Sequence, residues 1–343
     1  MKALITTDLH FSETSSILKR VGRTYTTRLE NCIQTQNWTE RLAEELGCDA
    51  IIHLGDYFDK PNLTDQEITA CKEIQWSKIK HYFIVGNHES GEISLQFSSA
   101  KILESSTREI ISEAIKLDLG NCELCFLPYI SECERKTLTE YFGERTDIPR
   151  IILSHNDIKG IQMGPIVSRL GFDKEEIEAS CDLFVNGHLH NGQVLSDVII
   201  NLGNITGRDF GEDATRYAHQ AAILDTSEFT FKYIENPNAF NFYKLEIMDE
   251  EQLKVLDTLK NNAVLSVKCL DKLIPMLREK IETLNNIFEY RVIAVKPAVE
   301  NSDETTVETL SANIDHFARF VEFCRANIEN SDILEFELAE VCK

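Results

Sequence analysis

The first two thirds of the chain repeat one pattern, in which a short apolar run is followed by a loop rich in Asp, Gly, Asn or His and then by a helical or irregular stretch. Six runs carry this pattern: "KALITT", "DAIIHL", "HYFIVG", "ELCFLPYI", "RIILSH" and "DLFVNG". Several are rich in β-branched residues and bounded by turn residues, as is typical of strands buried on both faces. Helical patterns lie between them, over 28–46 before Gly47 and over 64–79. The alternation predicts an α/β sandwich with its chemistry in loops at the C-terminal ends of the strands.

The pattern changes after about residue 235. The segments "NPNAFNFYKLEI", "AVLSVKCL", "DKLIPMLREKIETL" and "FEYRVIAVKP" predict strand, strand, helix and strand in a small α/β module. The segment "PAVENSDET" predicts a linker, and 305–329 predicts a helix that a capping box from Thr305 to Glu308 would open. We therefore predict three parts, over 1–235, 236–298 and 299–343.

Net charge and cysteine spacing argue against two kinds of function. The formal net charge is −22, which argues against a surface that binds nucleic acid throughout, because such binding depends on Lys and Arg. One basic strip, "LKRVGRTYTTR", contains Lys19, Arg20, Arg23 and Arg28 with no acid between 14 and 29; it is either a local binding strip or a solvated loop. The ten cysteines have no framework spacing, and the pair Cys122 and Cys125 lacks the second pair that structural zinc needs.

Neither end of the chain nor its middle suggests a membrane protein. The N-terminus lacks the apolar core of a signal peptide, and no stretch approaches the roughly 18 apolar residues of a membrane span. We expect a cytosolic chain with reduced, buried cysteines.

The loops after five of the apolar runs collect histidines and oxygen ligands. Each fragment is weak evidence alone, and the two histidines of "GHLH" taken by themselves also fit an ordinary loop. In extended backbone, however, residues i and i+2 point to the same side, so His188 and His190 can face one point. Five of the nine histidines fall on such loops, a concentration that predicts a metal site.

Two divalent ions close together need an anionic bridge, because they repel each other. Asp56 is the predicted bridge. The predicted ligands of one ion are Asp8, His10 and His190, and those of the other are Asn87, His155 and His188. Imidazole and oxygen ligands without thiolate suit manganese, iron or zinc better than calcium. The glycine before Asp56, Asn87 and His188 is predicted to let the backbone turn sharply at the strand end without a Cβ clash.

The order D-x-H, G-D-x-x-D, G-N-H-E, S-H and G-H-x-H over residues 8–190 resembles the calcineurin-like metallophosphoesterase superfamily. Its fold is a β-sandwich flanked by helices. The "LPYI" run at 127–130, the "NLGNITG" turn at 201–207, the module after 235 and the acidic linker before a helix are similar to SbcD-type DNA repair nucleases. The resemblance implies that the module is a small capping domain that contacts DNA.

The resemblance also assigns roles. It implies the same seven metal ligands with two Mn²⁺ ions, makes His88 the residue that contacts the phosphate and protonates the leaving oxygen, and makes Asp59 of "GDYFD" its partner. Eukaryotic and archaeal members of the nuclease family have His at the position that Asp59 occupies in this chain. The chain therefore follows the bacterial and phage pattern.

The function implied by the resemblance is a DNA nuclease with double-strand exonuclease and single-strand endonuclease activities, in the cytoplasm of a bacterium or a phage-infected cell. The chain has no G-x-x-x-x-G-K-[ST] loop, so ATP use would require another chain, an SbcC-type coiled-coil ATPase, with two copies of this chain in a heterotetramer. Two alternatives stay open: a phosphoesterase for small-molecule or protein phosphoesters, and an inactive scaffold of the same fold.

The C-terminal helix is the predicted ATPase-binding element. Its apolar residues recur at spacings of three and four: Val307, Leu310, Ile314, Phe317, Val321, Cys324 and Ile328. That spacing is typical of a helix packed on another helix. The alternative is that it docks on the core of its own chain.

Overall fold

A computed structural model describes residues 1–22, 24–91, 94–163 and 166–296. The described residues lie in one compact unit. The predicted linker, the C-terminal helix and Arg23 lie outside the described residues.

Strands dominate the described residues. In chain order they are β1 Lys2–Thr6, β2 Ala50–His53, β3 Lys80–Ile84, β4 Ser90–Gly91, β5 Ser94–Ser98, β6 Arg108–Ile111, β7 Ile115–Asp118, β8 Glu123–Leu127, β9 Arg150–Ser154, β10 Gln162–Met163, β11 Ile166–Val167, β12 Leu183–Asn186, β13 Gln193–Val194, β14 Ile199–Asn201, β15 Gln220–Asp225, β16 Thr230–Glu235, β17 Asn241–Ile247, β18 Ala263–Leu270 and β19 Ile287–Val295. The six predicted strands of the first part correspond to β1, β2, β3, β8, β9 and β12, which confirms them.

In the described part of the chain, five α-helices accompany the strands: α1 Thr27–Glu45, α2 Asp65–Ala70, α3 Leu138–Phe142, α4 Lys174–Ser180 and α5 Ile274–Glu282. Short 3₁₀ helices cover Cys71–Glu73, Ser99–Leu103, Glu132–Glu134, Glu251–Thr258 and Asp271–Leu273.

Two six-stranded sheets form the body, in the orders β16-β15-β1-β2-β3-β6 and β13-β14-β12-β9-β8-β7. The core between them takes side chains from both, among them Ile5, Ile52, Phe126 and Val185, all fully buried. Helix α1 covers the outer face of the first sheet, and α3 and α4 cover that of the second. This architecture confirms the predicted α/β β-sandwich flanked by helices.

Helix α1 begins where Thr26 accepts a hydrogen bond from the Leu29 amide and ends just before Gly47, which has φ +63°. The predicted helix over 64–79 is wrong in length. Helix α2 stops at Ala70, a 3₁₀ turn follows, and the chain is extended from Ile74. Trp76 then packs near Tyr57 and Phe83, so tertiary contacts override the local helical pattern.

The module after residue 235 is a parallel sheet in the order β17-β18-β19, and α5 lies against it. The predicted strand, strand, helix and strand are confirmed. The 3₁₀ helix Glu251–Thr258 was not predicted. Amide groups of Gly207 and Ala214 donate to the carbonyls of Phe240 and Phe242, at 3.1 and 3.2 Å, which joins the module to the loop after β14.

The cysteines in the described part are all free, and only Cys133 is exposed. Cys122 packs in the core between the sheets, whereas Cys125 packs under the helices on the other side. Their side chains therefore point away from each other, which rules out a zinc site between them. Among the described residues, none of the helices has the length and apolar character to cross a membrane.

Candidate metal centre

The C-terminal ends of five strands meet at one edge of the sandwich. Strands β1, β2 and β3 are parallel neighbours in one sheet, and β9 and β12 are parallel neighbours in the other. Each is followed within a few residues by a loop with predicted ligands. The structure thereby brings together all seven predicted ligands: Asp8, His10, Asp56, Asn87, His155, His188 and His190.

Asp8, His10 and His190 form the first group, with ligand atoms within 4.8 Å of one another. The Nε2 atoms of His10 and His190 are 2.8 Å apart, and His10 Nε2 lies 3.9 Å from Asp8 Oδ1. Asp56 Oδ2 is 3.8 Å from the same imidazole nitrogen.

The second group surrounds the other side of Asp56. His155 Nε2 lies 3.2 Å from Asp56 Oδ2. Asn87 Oδ1 lies 2.9 Å from His188 Nδ1 and 3.3 Å from His155 Nε2. Because one carboxylate oxygen borders both groups, Asp56 occupies the position predicted for a bridging ligand.

The residues fit a pair of divalent ions. Asp8 is fully buried, yet its Oδ1 has no hydrogen-bond partner, and a buried anionic oxygen without a partner is costly. The nitrogens of His10 and His190 likewise point at a common space. Bound cations would satisfy all of these lone pairs.

The backbone at this edge is strained. Asp8, His10, Asp56 and His188 have φ of 50°, 45°, 47° and 75°, and they are four of the six non-glycine residues with positive φ in the described part. Such conformations cost about 1–3 kcal/mol each and persist only where the surroundings impose them. Here the amides of Asp8 and His10 donate to the carbonyls of Gly55 and Asp56, at 3.1 and 2.9 Å.

The three glycines predicted to allow sharp turns serve two purposes. Gly55 has φ +95°, as a sharp turn requires. Gly86 and Gly187 do not have positive φ. A Cβ atom would lie 2.1 Å from Asp56 Oδ1 at Gly86 and 2.1 Å from Thr7 Oγ1 at Gly187, so close approach of neighbouring chains excludes a side chain there. The predicted Cβ clash is therefore confirmed at these two positions, although neither of them needs a positive φ.

Each of the four ligand histidines has an oxygen partner on its other ring nitrogen. His10 Nδ1 is 3.1 Å from Asp59 Oδ1, and His155 Nδ1 is 2.6 Å from the Leu54 carbonyl oxygen. His188 Nε2 is 3.2 Å from Asp157 Oδ1, and His190 Nδ1 is 3.2 Å from Glu212 Oε1. Such partners fix the tautomer and ring orientation of metal-binding imidazoles.

His88 lies beside two of the seven ligands, since its ring and the ligand atoms of His10 and Asp56 come within 4.8 Å of one another. Its Nδ1 lies 3.1 Å from the Asp59 carbonyl oxygen and 3.5 Å from Asp59 Oδ1, and its side chain is 38% exposed. The hydrogen bond to Asp59 raises the pKa of His88 to about 9, against the effect of burial and with help from the charge of Asp56. A protonated, accessible imidazole beside the ligands suits a general acid.

Asp59 contacts two histidines and an arginine. Besides the two histidines, its Oδ1 pairs with Arg208 Nη1 at 2.5 Å. Burial alone would raise the pKa of Asp59, but hydrogen bonds from His10 and His88 hold it below the usual value. The roles of His88 and Asp59 in catalysis remain predictions. Arg208 was not predicted, because only the fold brings it here.

The protonation of His155 depends on the neighbouring charge of Asp56. Burial lowers the pKa of His155, but the charge of Asp56, the hydrogen bond with Asp56 and the charge of Asp8 together raise that pKa to about 9. A metal-free site therefore carries a proton on His155, and a metal ion must displace it.

Glu89 supports the site from behind. It is fully buried and accepts hydrogen bonds from the amides of Phe58 and Gly86, at 3.0 and 2.9 Å. Burial, followed by the charge of Asp56, raises its pKa to about 7. The "GNHE" motif contained this residue, but sequence alone gave it no role.

A family model described as calcineurin-like phosphoesterase matches residues 1–217. The chain belongs to the calcineurin-like phosphoesterase family. No curated protein gives a significant match. Solved structures with similarity include a dimetal phosphatase from Danio rerio, with 14% identity over 68% of this chain and 96% of that chain and a TM-score of 0.42.

Two further structures are the protein TT1561 of Thermus thermophilus and the phosphoesterase Yfce from E. coli. TT1561 has 10% identity over 68% of this chain and 98% of that chain, with a TM-score of 0.38. Yfce has 13% identity over 69% of this chain and 100% of that chain, with a TM-score of 0.33.

Family membership and the two ligand groups together make this phosphoesterase a hydrolase with a site for two divalent ions. Such ions, when bound, supply Lewis-acid polarisation of a phosphoryl oxygen. Asp56 would be shared between them, with three of the remaining ligands on each side. His88 would hold its proton towards the leaving oxygen, and Asp59 would keep that proton in place.

Proposed function

We propose that this phosphoesterase is a Mn²⁺-dependent DNA nuclease of the SbcD type, with single-strand endonuclease and double-strand exonuclease activities. Support comes from the sequence features beyond the metal ligands, namely the "LPYI" run, the "NLGNITG" turn and the module over 241–295. A phosphoesterase for small substrates has no need of such a module.

The observation that carries the proposal is a cleft of about 1340 Å³ that begins at the ligand Asn87. This exceeds the 300–1,000 Å³ of most small-molecule pockets. Tyr129 of the "LPYI" run lines it, with its ring centroid 5.8 Å from that of His188. Lys136 supplies an exposed ammonium group in the same lining. An aromatic ring beside the reacting centre and a cation further along suit a strand of stacked bases and phosphates.

The basic strip supports the same reading. Lys19 and Arg20 are exposed, and the amides of Leu18 and Lys19 donate to the Glu289 carboxylate of β19, at 3.0 and 2.7 Å. At the other end of the strip, the buried Arg28 donates from Nη1 to the Gly207 carbonyl at 2.9 Å. The strip thus bridges the module and the loop that carries Arg208, and it supplies local positive charge on an acidic protein.

Tyr129→Ala tests the substrate class. With Mn²⁺, we expect a KM for a single-stranded oligonucleotide about 5 to 100 times higher, because base stacking contributes about 1–3 kcal/mol. Hydrolysis of bis-p-nitrophenyl phosphate, which has no flanking nucleotides, should not change. Tyr129→Phe is the matched control and should behave as wild type. Failure of the wild-type protein to cleave any DNA would contradict the proposal.

A second candidate is a phosphoesterase for small-molecule or protein phosphoesters. The acidic residues Glu113 and Glu134 also line the cleft, which favours a smaller or less charged substrate than a nucleic acid strand. Efficient hydrolysis of p-nitrophenyl phosphate without DNA cleavage would select this candidate. The inactive scaffold has less support, because all seven ligand positions are filled and brought together.

We further propose that the C-terminal segment binds an SbcC-type coiled-coil ATPase, in a heterotetramer with two copies of each chain in the cytoplasm. This rests on the sequence, since the segment lies outside the described residues. Phe317→Glu combined with Val321→Glu should abolish co-purification with the ATPase and leave Mn²⁺-dependent cleavage by the isolated chain intact. Retained co-purification would place the partner site elsewhere.

A further inference from the structure

Two carboxylates that the sequence did not single out contact ligand histidines of opposite groups. Glu212 contacts His190, and Asp157 contacts His188, each at 3.2 Å. The contacts use Nδ1 of His190 and Nε2 of His188, which leaves Nε2 of His190 and Nδ1 of His188 facing the ligand groups. The two rings are therefore held by different nitrogens.

Glu212 is buried and collects several donors. The Asn204 side chain donates to its Oε1 at 2.7 Å, and the Arg208 amide donates to its Oε2 at 3.0 Å. The Asn204 amide in turn donates to the His190 carbonyl at 3.0 Å. Contacts to both of its oxygens thus hold the Glu212 carboxylate in place beside His190.

Asp157 is built differently. Its side chain is 22% exposed, and its Oδ1 lies 3.2 Å from His188 Nε2. It lies directly after the buried Asn156, whose side-chain Oδ1 accepts from the Ile130 amide at 2.9 Å. Asp157 is therefore anchored through its backbone, while its carboxylate has more freedom than that of Glu212.

We propose that Glu212 and Asp157 are positioning residues that act on opposite ions. Glu212 fixes His190 and so the ion held with Asp8 and His10. Asp157 fixes His188 and so the ion held with Asn87 and His155. Because the Glu212 carboxylate is the more rigid of the two, its loss has the larger effect. The proposal rests on the metal centre of the proposed function but not on DNA as substrate.

The test is Mn²⁺ binding by the full chain, measured by calorimetry and by metal content after dialysis. Glu212→Gln and Asp157→Asn should each weaken one of two sites, by about 10 to 100-fold for an outer partner of a metal ligand. Circular dichroism on the metal-free variants checks the fold. Asp157 is partly exposed, so D157N keeps the proposal testable even if E212Q does not fold.

Double variants identify which ion each carboxylate serves. E212Q should add no further loss to His190→Ala but its full loss to His155→Ala. D157N should add nothing to His188→Ala but its full loss to His190→Ala. Equal losses in both backgrounds, or wild-type affinity in the single variants, would overturn the proposal. Because no DNA enters the test, a chain that cleaves only small phosphoesters would still give the expected result.

Discussion

The loops of the candidate metal centre and the module over 241–295 are built on different principles. The loops place buried carboxylates and imidazoles side by side and force four non-glycine residues into the left-handed region. In the module, Asn262 is the residue with positive φ among those described, and the core consists of aliphatic side chains such as Leu245, Val267 and Leu277. The module also contains no histidine.

The two regions therefore contribute differently: the loops serve metal binding and catalysis, and the core of the module serves stability. Packing of aliphatic side chains stabilises the fold, whereas strained loops and unpartnered buried charges destabilise it in exchange for a prepared site. Substitutions in the loops should therefore change catalysis and metal binding more than folding. Substitutions in the core of the module should do the reverse.

The largest effect is expected for His88→Ala, which removes the protonated group next to the metal ligands. Turnover of bis-p-nitrophenyl phosphate should fall roughly 10² to 10⁴-fold while both Mn²⁺ ions stay bound. Metal content and steady-state kinetics on the same preparation check this. Loss of the ions as well would mean that His88 is a ligand rather than a general acid.

In the module, Leu265→Ala should lower the free energy of unfolding by about 2–5 kcal/mol, because Leu265 is fully buried in the middle strand. Mn²⁺ binding should be unchanged well below the melting temperature. Met276→Ala, at a side chain that is 40% exposed, is the matched control and should cost little. Urea denaturation measures both. A metal-binding defect in Leu265→Ala would break the separation between the two regions.

Acid should destabilise the β-sandwich through His53, at the end of strand β2. Burial, helped by the nearby charge of His81, lowers the pKa of His53 to about 3. The unfolded chain therefore takes up this proton at higher pH than the folded one, and stability is lost as the pH falls below about 6.5. Between pH 6.5 and 5 the loss is about 2 kcal/mol.

His53→Gln should remove that part of the pH dependence while keeping a partner for the Thr6 hydroxyl, which lies 2.7 Å from His53 Nδ1. Denaturation at several pH values measures the slope for both proteins. Identical slopes would show that another group takes up the proton.

Asp8→Asn should have effects of opposite sign with and without metal. In chelator, the variant should be more stable than wild type by about 1–3 kcal/mol, because Oδ1 of Asp8 is buried without a partner. With saturating Mn²⁺ the wild type should be the more stable protein, since the variant loses a ligand. Asp197→Asn, the same change at an exposed position, should be neutral in both. Thermal melting curves recorded in chelator and in saturating Mn²⁺ measure these differences in stability.

The smallest effect is expected for Arg20→Glu in the basic strip. DNA binding by the whole chain should weaken by less than about tenfold and become less dependent on salt, because one phosphate contact is lost. Lys232→Glu, an equal charge change on the exposed strand β16, is the control. Equal weakening by both variants would mean that overall charge, and not the strip, controls binding.

Much of the site was predictable because its ligands follow apolar runs. Five ligands come within three residues after the end of a strand, and parallel strands bring such positions together: Asp8, Asp56, Asn87, His155 and His188. The length of α2 was not predictable, because Trp76 ends the helical pattern through contacts with distant rings.

The sequence analysis also gave no role to Glu212, Asp157 and Arg208. Each depends on a loop conformation that no local pattern encodes. The left-handed backbone of Asp8, His10 and Asp56 escaped for the same reason, since short-range preferences would disfavour it. Strain of this kind is visible only once the surrounding structure is known.

The contact between His10 and His190 joins positions 180 residues apart. A ribosome adding about 5–20 residues per second needs roughly 10–40 s between these two histidines. The nascent chain therefore presents Asp8, His10 and Asp56 for that time without their later partners. The ions can bind tightly only when the second sheet has been synthesised and has docked, so metal loading reports the completion of the sandwich.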